Sequence, residues 1–180
     1  MKALHKLTDA ILVDRVAAGD TGAFEVLFKR YSAKIYRFIY FRIKDQAIID
    51  DMVNDLFLKI WEMIQSDTRI KNFQALLYKM TRNAIIDHYR TRKEHLDIDT
   101  ATDITTDEDI FEAVSLEDDI RAMLKVMDDL QDSYKEILQL RYIEDLSHDE
   151  IAEVLDKTTG AVKVQIHRAI KQLKSLHSNE

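Results

Sequence analysis

The chain of 180 residues contains no cysteine, no proline and only three glycines. Without cysteine there is no disulfide scaffold, no iron–sulfur cluster, no thiol nucleophile and no cysteine-ligated zinc finger. Sandwiches, barrels and dinucleotide-binding sheets turn tightly and draw on both glycine and proline. Their scarcity directs this chain to helices joined by short polar turns. Uncharged runs of the roughly 20 residues that a membrane span needs are also missing. The opening Met1-Lys2-Ala3-Leu4-His5-Lys6 has no apolar stretch of signal-peptide length. These absences predict a soluble, cytoplasmic protein without direct membrane insertion. The six histidines supply no i,i+4 pair, and the single His-Asp dipeptide, His148-Asp149, sits at a predicted helix start. A metal-dependent hydrolase and a metal site are therefore not expected; a cofactor, a small-molecule substrate and catalytic residues are not expected either.

What is present is charge, unevenly placed. The formal net charge is −7, which taken alone argues against a nucleic-acid partner. Ten acids and no Lys or Arg lie between Asp97 and Asp119, and without that block the net charge becomes +3. Arg69 to His95 holds seven basic and two acidic residues, and Lys157 to His177 holds five basic residues and no acid. Each basic segment alone reads equally as a solvated helix face. Two of them, each ending a helical pattern, favour a polyanion partner.

Apolar spacing of three and four predicts the helices. A short one runs from Thr8 to about Ala18, ended by Gly19. The next spans Asp20 to Ile43, with Phe24, Leu27, Phe28, Tyr31, Ile35, Phe38, Ile39 and Ile43 on one face. Asp45 to about Ile64 repeats the pattern, and Ser66-Asp67-Thr68 breaks it. Phe73 to about Arg92 follows, with Leu76, Leu77, Met80, Ala84 and Ile85 inward and Tyr89 a candidate for the same face. From Asp97 to about Val114 the periodicity dissolves among acids, too polar to offset the entropy of ordering, and a flexible acidic linker is expected. Order resumes near Ser115 with the stripe Ile120, Leu124, Met127 and Leu130. Ser133-Tyr134-Lys135-Glu136 and Ser147-His148-Asp149-Glu150 both fit capping boxes, the first opening a helix with Ile137, Leu138 and Leu140. The fold class is all-α: two small helical domains, 1–96 and 115–180, joined by the acidic linker 97–114.

Ser147 to Ala169 has the pattern of a helix-turn-helix. A short helix with Ile151, Ala152 and Leu155 inward is followed by a turn and a second helix from Thr158 to about Leu176. Val162 and Ile166 face inward, leaving Lys163, Gln165, His167, Arg168 and Lys171 outward. Such a unit binds DNA when its second helix enters the major groove and its first turns reach base edges. Thr158 is placed to cap that helix, and the N–H groups near Thr159 and Gly160 suit a phosphate. A plain helical hairpin is the competing description.

These segments together resemble the bacterial extracytoplasmic-function (ECF) sigma factors, small two-domain initiation factors of RNA polymerase. The resemblance rests on Ala23–Tyr31, Asp50–Trp61, Leu77–Asn83 with Asp87–Arg90, Leu140–Tyr142, Glu150–Ala152, and Gly160–Lys163 with His167–Ala169, in that order along nearly the whole chain. It implies a protein without covalent chemistry, acting with core RNA polymerase on promoter DNA and held in check by an anti-sigma factor. It implies that domain 1–96 is sigma region 2, which binds polymerase and recognises and melts the minus-ten element. Domain 115–180 would be sigma region 4, reading the minus-thirty-five element.

The resemblance also assigns residues. Asp50, Asp51, Asn54, Asp55, Leu58 and Trp61 would dock on polymerase, with core packing the other role open to Trp61. Asn72 would line a base pocket. Tyr78, Lys79, Arg82 and Asn83 would face the melted strand, and Arg90, Arg92 and Lys93 would hold phosphates. Core packing stays open for Tyr78, and an internal Asn83–Asp87 pairing stays open on α-helical spacing. In the second domain Arg141, Thr158, Thr159, Gly160, Lys163, Gln165, His167, Arg168 and Lys171 would contact DNA. Gln165 is the expected base reader, since glutamine pairs bidentately with adenine. The chain departs from the family at Gln131-Asp132-Ser133, which lacks the usual proline, and at Asp156 in place of a turn glycine. A stand-alone helix-turn-helix regulator is the alternative, but it leaves the Arg69–His95 and Asp50–Trp61 segments without a role.

Overall fold

The computed structural model describes residues 4–66, 68–96, 126–127 and 129–177, the side chains of 93–96 and 177 excepted. The expected linker, the acid block and the stripe residues Ile120 and Leu124 lie outside the described residues. The chain divides into two compact units, Met1–Thr106 and Asp107–Glu180. Among the described residues every regular element is helical, as the shortage of turn formers predicts.

The first unit opens with a turn of 3-10 helix at Leu4–Lys6 and continues through α1 (Asp9–Ala17), α2 (Thr21–Tyr40), α3 (Gln46–Gln65) and α4 (Phe73–Leu96). α1 ends where Gly19 takes φ +91°. The Gly19 N–H donates to the Val16 carbonyl at 2.9 Å and the Asp20 N–H to the Arg15 carbonyl at 3.0 Å. This is a Schellman closure, in which glycine enters the left-handed region without a Cβ clash. Asp20 then caps α2 by accepting the Ala23 N–H at 3.2 Å, and Arg15 donates to the Asp20 carboxylate at 2.8 Å. That hydrogen bond holds the Asp20 carboxyl below its ordinary pKa. Asp45 caps α3 in the same way, accepting N–H groups of Ala47 and Ile48 at 3.0 and 3.3 Å.

All four helices pack against one another, and aromatic edges fill the space between them. The Phe24 ring meets Trp61 at 4.9 Å between centroids, Phe28 meets Phe57 at 4.8 Å, and Tyr31 meets Phe73 at 5.4 Å. The first two are edge-to-face and the third is tilted; aromatic pairs of this kind add about 1 kcal/mol each beyond the area they bury. The N-terminal turn is fastened by Arg30, which pairs with Asp9 and donates to the carbonyls of His5 and Leu7 at 3.1 and 3.0 Å. Tyr31 donates to the same Asp9 carboxylate.

The second unit contains α5 (Asp132–Leu138), a π-helical turn at Gln139–Ile143, α6 (His148–Leu155) and α7 (Thr159–His177). Its apolar centre is Met127, Leu130, Ile137, Leu138, Leu140, Leu146, Ile151, Val154, Val162, Ile166 and Ala169. The Ser147 capping box is present in both directions: Ser147 Oγ accepts from the Glu150 N–H at 3.2 Å, and the Ser147 N–H donates to Glu150 at 2.7 Å. The Ser133 box does not form. The helix instead starts at Asp132, with Gln131 as N-cap making no side-chain bond. A carboxylate in the first turn already favours the positive helix end, and Ser133 becomes an ordinary helical residue.

Candidate nucleic-acid interface

In the first unit, α3 turns Ile49, Val53, Leu56, Phe57, Ile60 and Ile64 into the core. That burial forces Asp50, Asp51, Asn54, Asp55 and Leu58 outward, and all five are exposed. Leu58, 57% exposed, is a lone apolar side chain among acids. Trp61 sits half-buried with its ring against Phe24, so most of it belongs to the core.

α4 is positioned by its own start. The Asn72 side-chain carbonyl accepts the Ala75 N–H at 2.9 Å and so caps the helix, while the residue stays partly exposed. Ala75, Leu77, Tyr78, Thr81 and Ile85 are buried. Tyr78 is 0% exposed and stands edge-on to Phe38 at 5.2 Å. The expectation that Tyr78 faces a DNA strand is thus overturned. One position after Leu77 on the helix, it falls on the face that α2 covers, where a ring fills more volume than a contact would justify. Lys79 and Arg82 are half-buried at the margin of the core, and Asn83, Arg90 and Arg92 are exposed. Asp87 pairs with Arg90 at 3.1 Å. The side chain of Lys93 lies outside the described residues.

Tyr89 departs from the inward face expected of it: it is 46% exposed. Its hydroxyl donates to the Arg42 carbonyl just beyond α2, which ties the far half of α4 to the rest of the unit. Arg42 in turn lies over the Phe38 ring at 4.3 Å and donates to the Phe38 carbonyl at 2.9 Å.

In the second unit the helix-turn-helix is α6, a turn at Asp156–Thr158, and α7. Asp156 occupies the left-handed region at φ 52°, ψ 47°, so the aspartate fills the role of the family's turn glycine. The Lys157 N–H donates to the Ala152 carbonyl at 2.9 Å, closing α6. Thr158 caps α7 by accepting the Ala161 N–H at 3.2 Å. Thr159 donates to Asp149 at 2.6 Å and so pins the start of α7 to the start of α6. An added Cβ on Gly160 would meet nothing nearer than Thr158 Oγ1 at 4.0 Å. The glycine is therefore not required by the chain's own packing.

Lys163, His167, Arg168 and Lys171 are exposed on α7. Gln165 and Arg141 are half-buried and bonded within the protein. Gln165 is half-buried; its Oε1 accepts from Lys157 and its Nε2 donates to the Ser133 carbonyl at 3.1 Å. Both ends of the amide that would pair with adenine are engaged within the protein. Arg141 Nη1 donates to the Leu146 carbonyl at 2.8 Å, bracing the bend where Asp145 takes φ 57°.

Sequence reasoning missed Val164, which is exposed on α7, and the Thr159–Asp149 bond. Val164 carried no signal because it lies two residues from the buried Val162, a spacing that helical periodicity passes over. Among the described residues no cluster of His, Cys, Asp or Glu is fit to hold a metal ion, and no helix is long and apolar enough to cross a membrane.

Known proteins match both units. Residues 27–95 match the family Sigma-70 region 2, and residues 120–173 match Sigma-70, region 4. The ECF RNA polymerase sigma factor SigW of Bacillus subtilis is 30% identical over 174 residues, spanning 90% of this chain and 92% of SigW. The ECF RNA polymerase sigma factor BldN of Streptomyces coelicolor is 30% identical over 173 residues, and the match covers 92% of this chain and 64% of BldN. Among solved structures, CnrH in complex with the cytosolic domain of CnrY shares the fold with a TM-score of 0.67 at 24% identity, over 96% of this chain and 98% of that one. RpoE of Bartonella quintana, in complex with the anti-sigma factor NepR, shares it at 0.63 and 18%, over 86% and 96%.

Proposed function

The chain belongs to the ECF RNA polymerase sigma factor family, and on that premise we propose how its two units divide the work of promoter recognition. Domain 1–96 binds core polymerase through Asp50, Asp51, Asn54, Asp55 and Leu58, an acidic face with one leucine that steers toward a basic partner. Lys79, Arg82, Asn83, Arg90 and Arg92 on α4 then meet the minus-ten DNA as it opens. Lys93 extends that row in sequence. Domain 115–180 carries α7 into the major groove of the minus-thirty-five element. There Lys163, His167, Arg168 and Lys171 hold phosphates, and the capped N-terminus at Thr158, Thr159 and Gly160 meets another.

Opening the duplex needs no covalent step. It needs an unstacked base to find a surface better than its neighbours, at a cost of a few kcal/mol. The protein thus acts in the cytoplasm as a positioning subunit and not as an enzyme. CnrH and RpoE are each seen with a partner, an anti-sigma factor in the case of RpoE, and an anti-sigma factor that covers these same faces is the expected regulator here.

The observation that carries this reading is a single order along the chain: an acid-faced helix, then a cation-bearing helix, then a helix-turn-helix whose second helix has no acid. Transcription in vitro tests it. Core polymerase plus this chain should initiate at a discrete start on a promoter enriched from a random library. Initiation no better than with core alone overturns the reading.

A further inference from the structure

The structure removes the side chain expected to read bases in the second unit, because the Gln165 amide is bound to Lys157 and to the Ser133 carbonyl. Something else on α7 must face the groove. At roughly 100° per residue, Val164 stands about 200° around the helix from Val162. It is therefore opposite the buried stripe of Val162, Ile166 and Ala169. It is 52% exposed, a β-branched side chain at an open helical position where neither packing nor helix propensity favours it. Exposed Ala161 lies one turn before it, exposed Arg168 one turn and Lys171 two turns after it, and Lys163 and His167 lie along one side. The groove-facing surface is thus apolar at Ala161 and Val164 and cationic beside and beyond them.

That arrangement has a chemical counterpart. In the major groove the one apolar feature of a base edge is the C5 methyl of thymine, set between two phosphate rails. We propose that Val164, with Ala161 beside it, reads a thymine methyl in the minus-thirty-five element, so that this position is specified by apolar contact and not by a glutamine–adenine pair. The proposal rests on the sigma-factor reading and adds to it the class of base that α7 selects.

The test uses holoenzyme assembled from core polymerase and the full chain. A library randomised over the upstream element is enriched, and each thymine of the selected site is then replaced singly by deoxyuridine, which removes only the methyl. One thymine, or two adjacent ones, should show binding about three- to fivefold weaker on replacement, the worth of one buried methyl. In Val164→Ala the thymine and deoxyuridine sites should bind alike, both weaker than the parent on thymine. Alanine is the better helix former, and an unchanged helical circular-dichroism signal and melting curve verify that α7 is intact. Deoxyuridine sensitivity that persists in full in V164A, or that appears at no position, overturns the methyl contact while the enriched promoter leaves the sigma-factor reading standing. A library that holoenzyme enriches no better than core alone overturns both.

Discussion

α4 and α7 are both cationic helices laid over small cores, yet they use their polar side chains in opposite ways. α4 contains five Lys or Arg residues and two acids, and one of those acids, Asp87, is paired with Arg90. Its flanks are braced, by the Asn72 cap at one end and by the Tyr89 bond to the Arg42 carbonyl near the other. α7 contains four Lys or Arg residues and no acid, and it is braced near its start, by Thr158 and Thr159 and by the Gln165 bond to the Ser133 carbonyl. The first helix holds an ordered surface with moderated charge, suited to gripping a deformed strand in one geometry. The second holds long-range positive charge on a rigid rod, suited to finding a duplex and sliding into its groove.

The largest effect bears on whether α4 is braced from beneath. Tyr78→Ala should destabilise the first unit by about 3–5 kcal/mol, the usual result of emptying a buried aromatic site. In urea the unfolding of the first unit should move to lower denaturant while that of the second stays in place. Tyr78→Phe keeps the ring against Phe38 and should change stability far less. A Y78A protein of parental stability that failed only in promoter opening would return Tyr78 to the strand-facing surface and erase half of the comparison.

Next in size is the charge of α7. Arg168→Ala combined with Lys171→Ala should weaken holoenzyme binding to the upstream element on the order of tenfold. The same pair should reduce the slope of log affinity against log salt by roughly 2, about 0.9 for each phosphate no longer neutralised. Arg90→Ala should move that slope by less than one phosphate's worth, because Asp87 already shares the charge. Equal slopes from the two helices, read by fluorescence anisotropy across a salt series, would break the contrast between ordered and uncompensated charge.

The sequence made the helices legible because their apolar faces are long and their stops are explicit: Gly19, Asp20, Asp45 and the Ser147 box all act as their residue types predict. The surface was legible where it follows from the core by subtraction, as for Asp50 to Leu58 or Lys163 to Lys171. It was not legible where a polar side chain chooses between solvent and a partner far along the chain. Gln165 reaches Ser133, and Tyr89 reaches the backbone at Arg42, partnerships that no local spacing encodes. The π-helical turn was hidden for a related reason. The Glu144 N–H bonds to the Gln139 carbonyl at 3.0 Å, widening one turn so that Leu138, Leu140 and Leu146 all reach the core, and periodicity averages over such a one-residue shift.

Arg141 sharpens the comparison with the smallest expected change. On sequence it belongs with the residues that hold phosphates in the second unit; in the structure it is half-buried and donates to the Leu146 carbonyl at 2.8 Å. Leu146 is fully buried, and its own N–H donates to the Leu140 carbonyl at 3.0 Å, so the guanidinium closes a bend that begins at the π-helical turn and passes through the left-handed Asp145. Arg141→Ala removes one hydrogen bond from a charged donor to a partly shielded carbonyl, worth about 1–2 kcal/mol. The second unit should lose stability by that amount in urea, and the salt slope of promoter binding should stay within about 0.3 of the parent, well short of the value for one phosphate. The two roles separate in these measurements, because a phosphate-binding arginine loses slope and keeps stability, whereas a bracing arginine does the reverse. If R141A lowers the slope by the full value for one phosphate at unchanged stability, the bend is held without it, and the cationic surface of the second unit extends beyond α7.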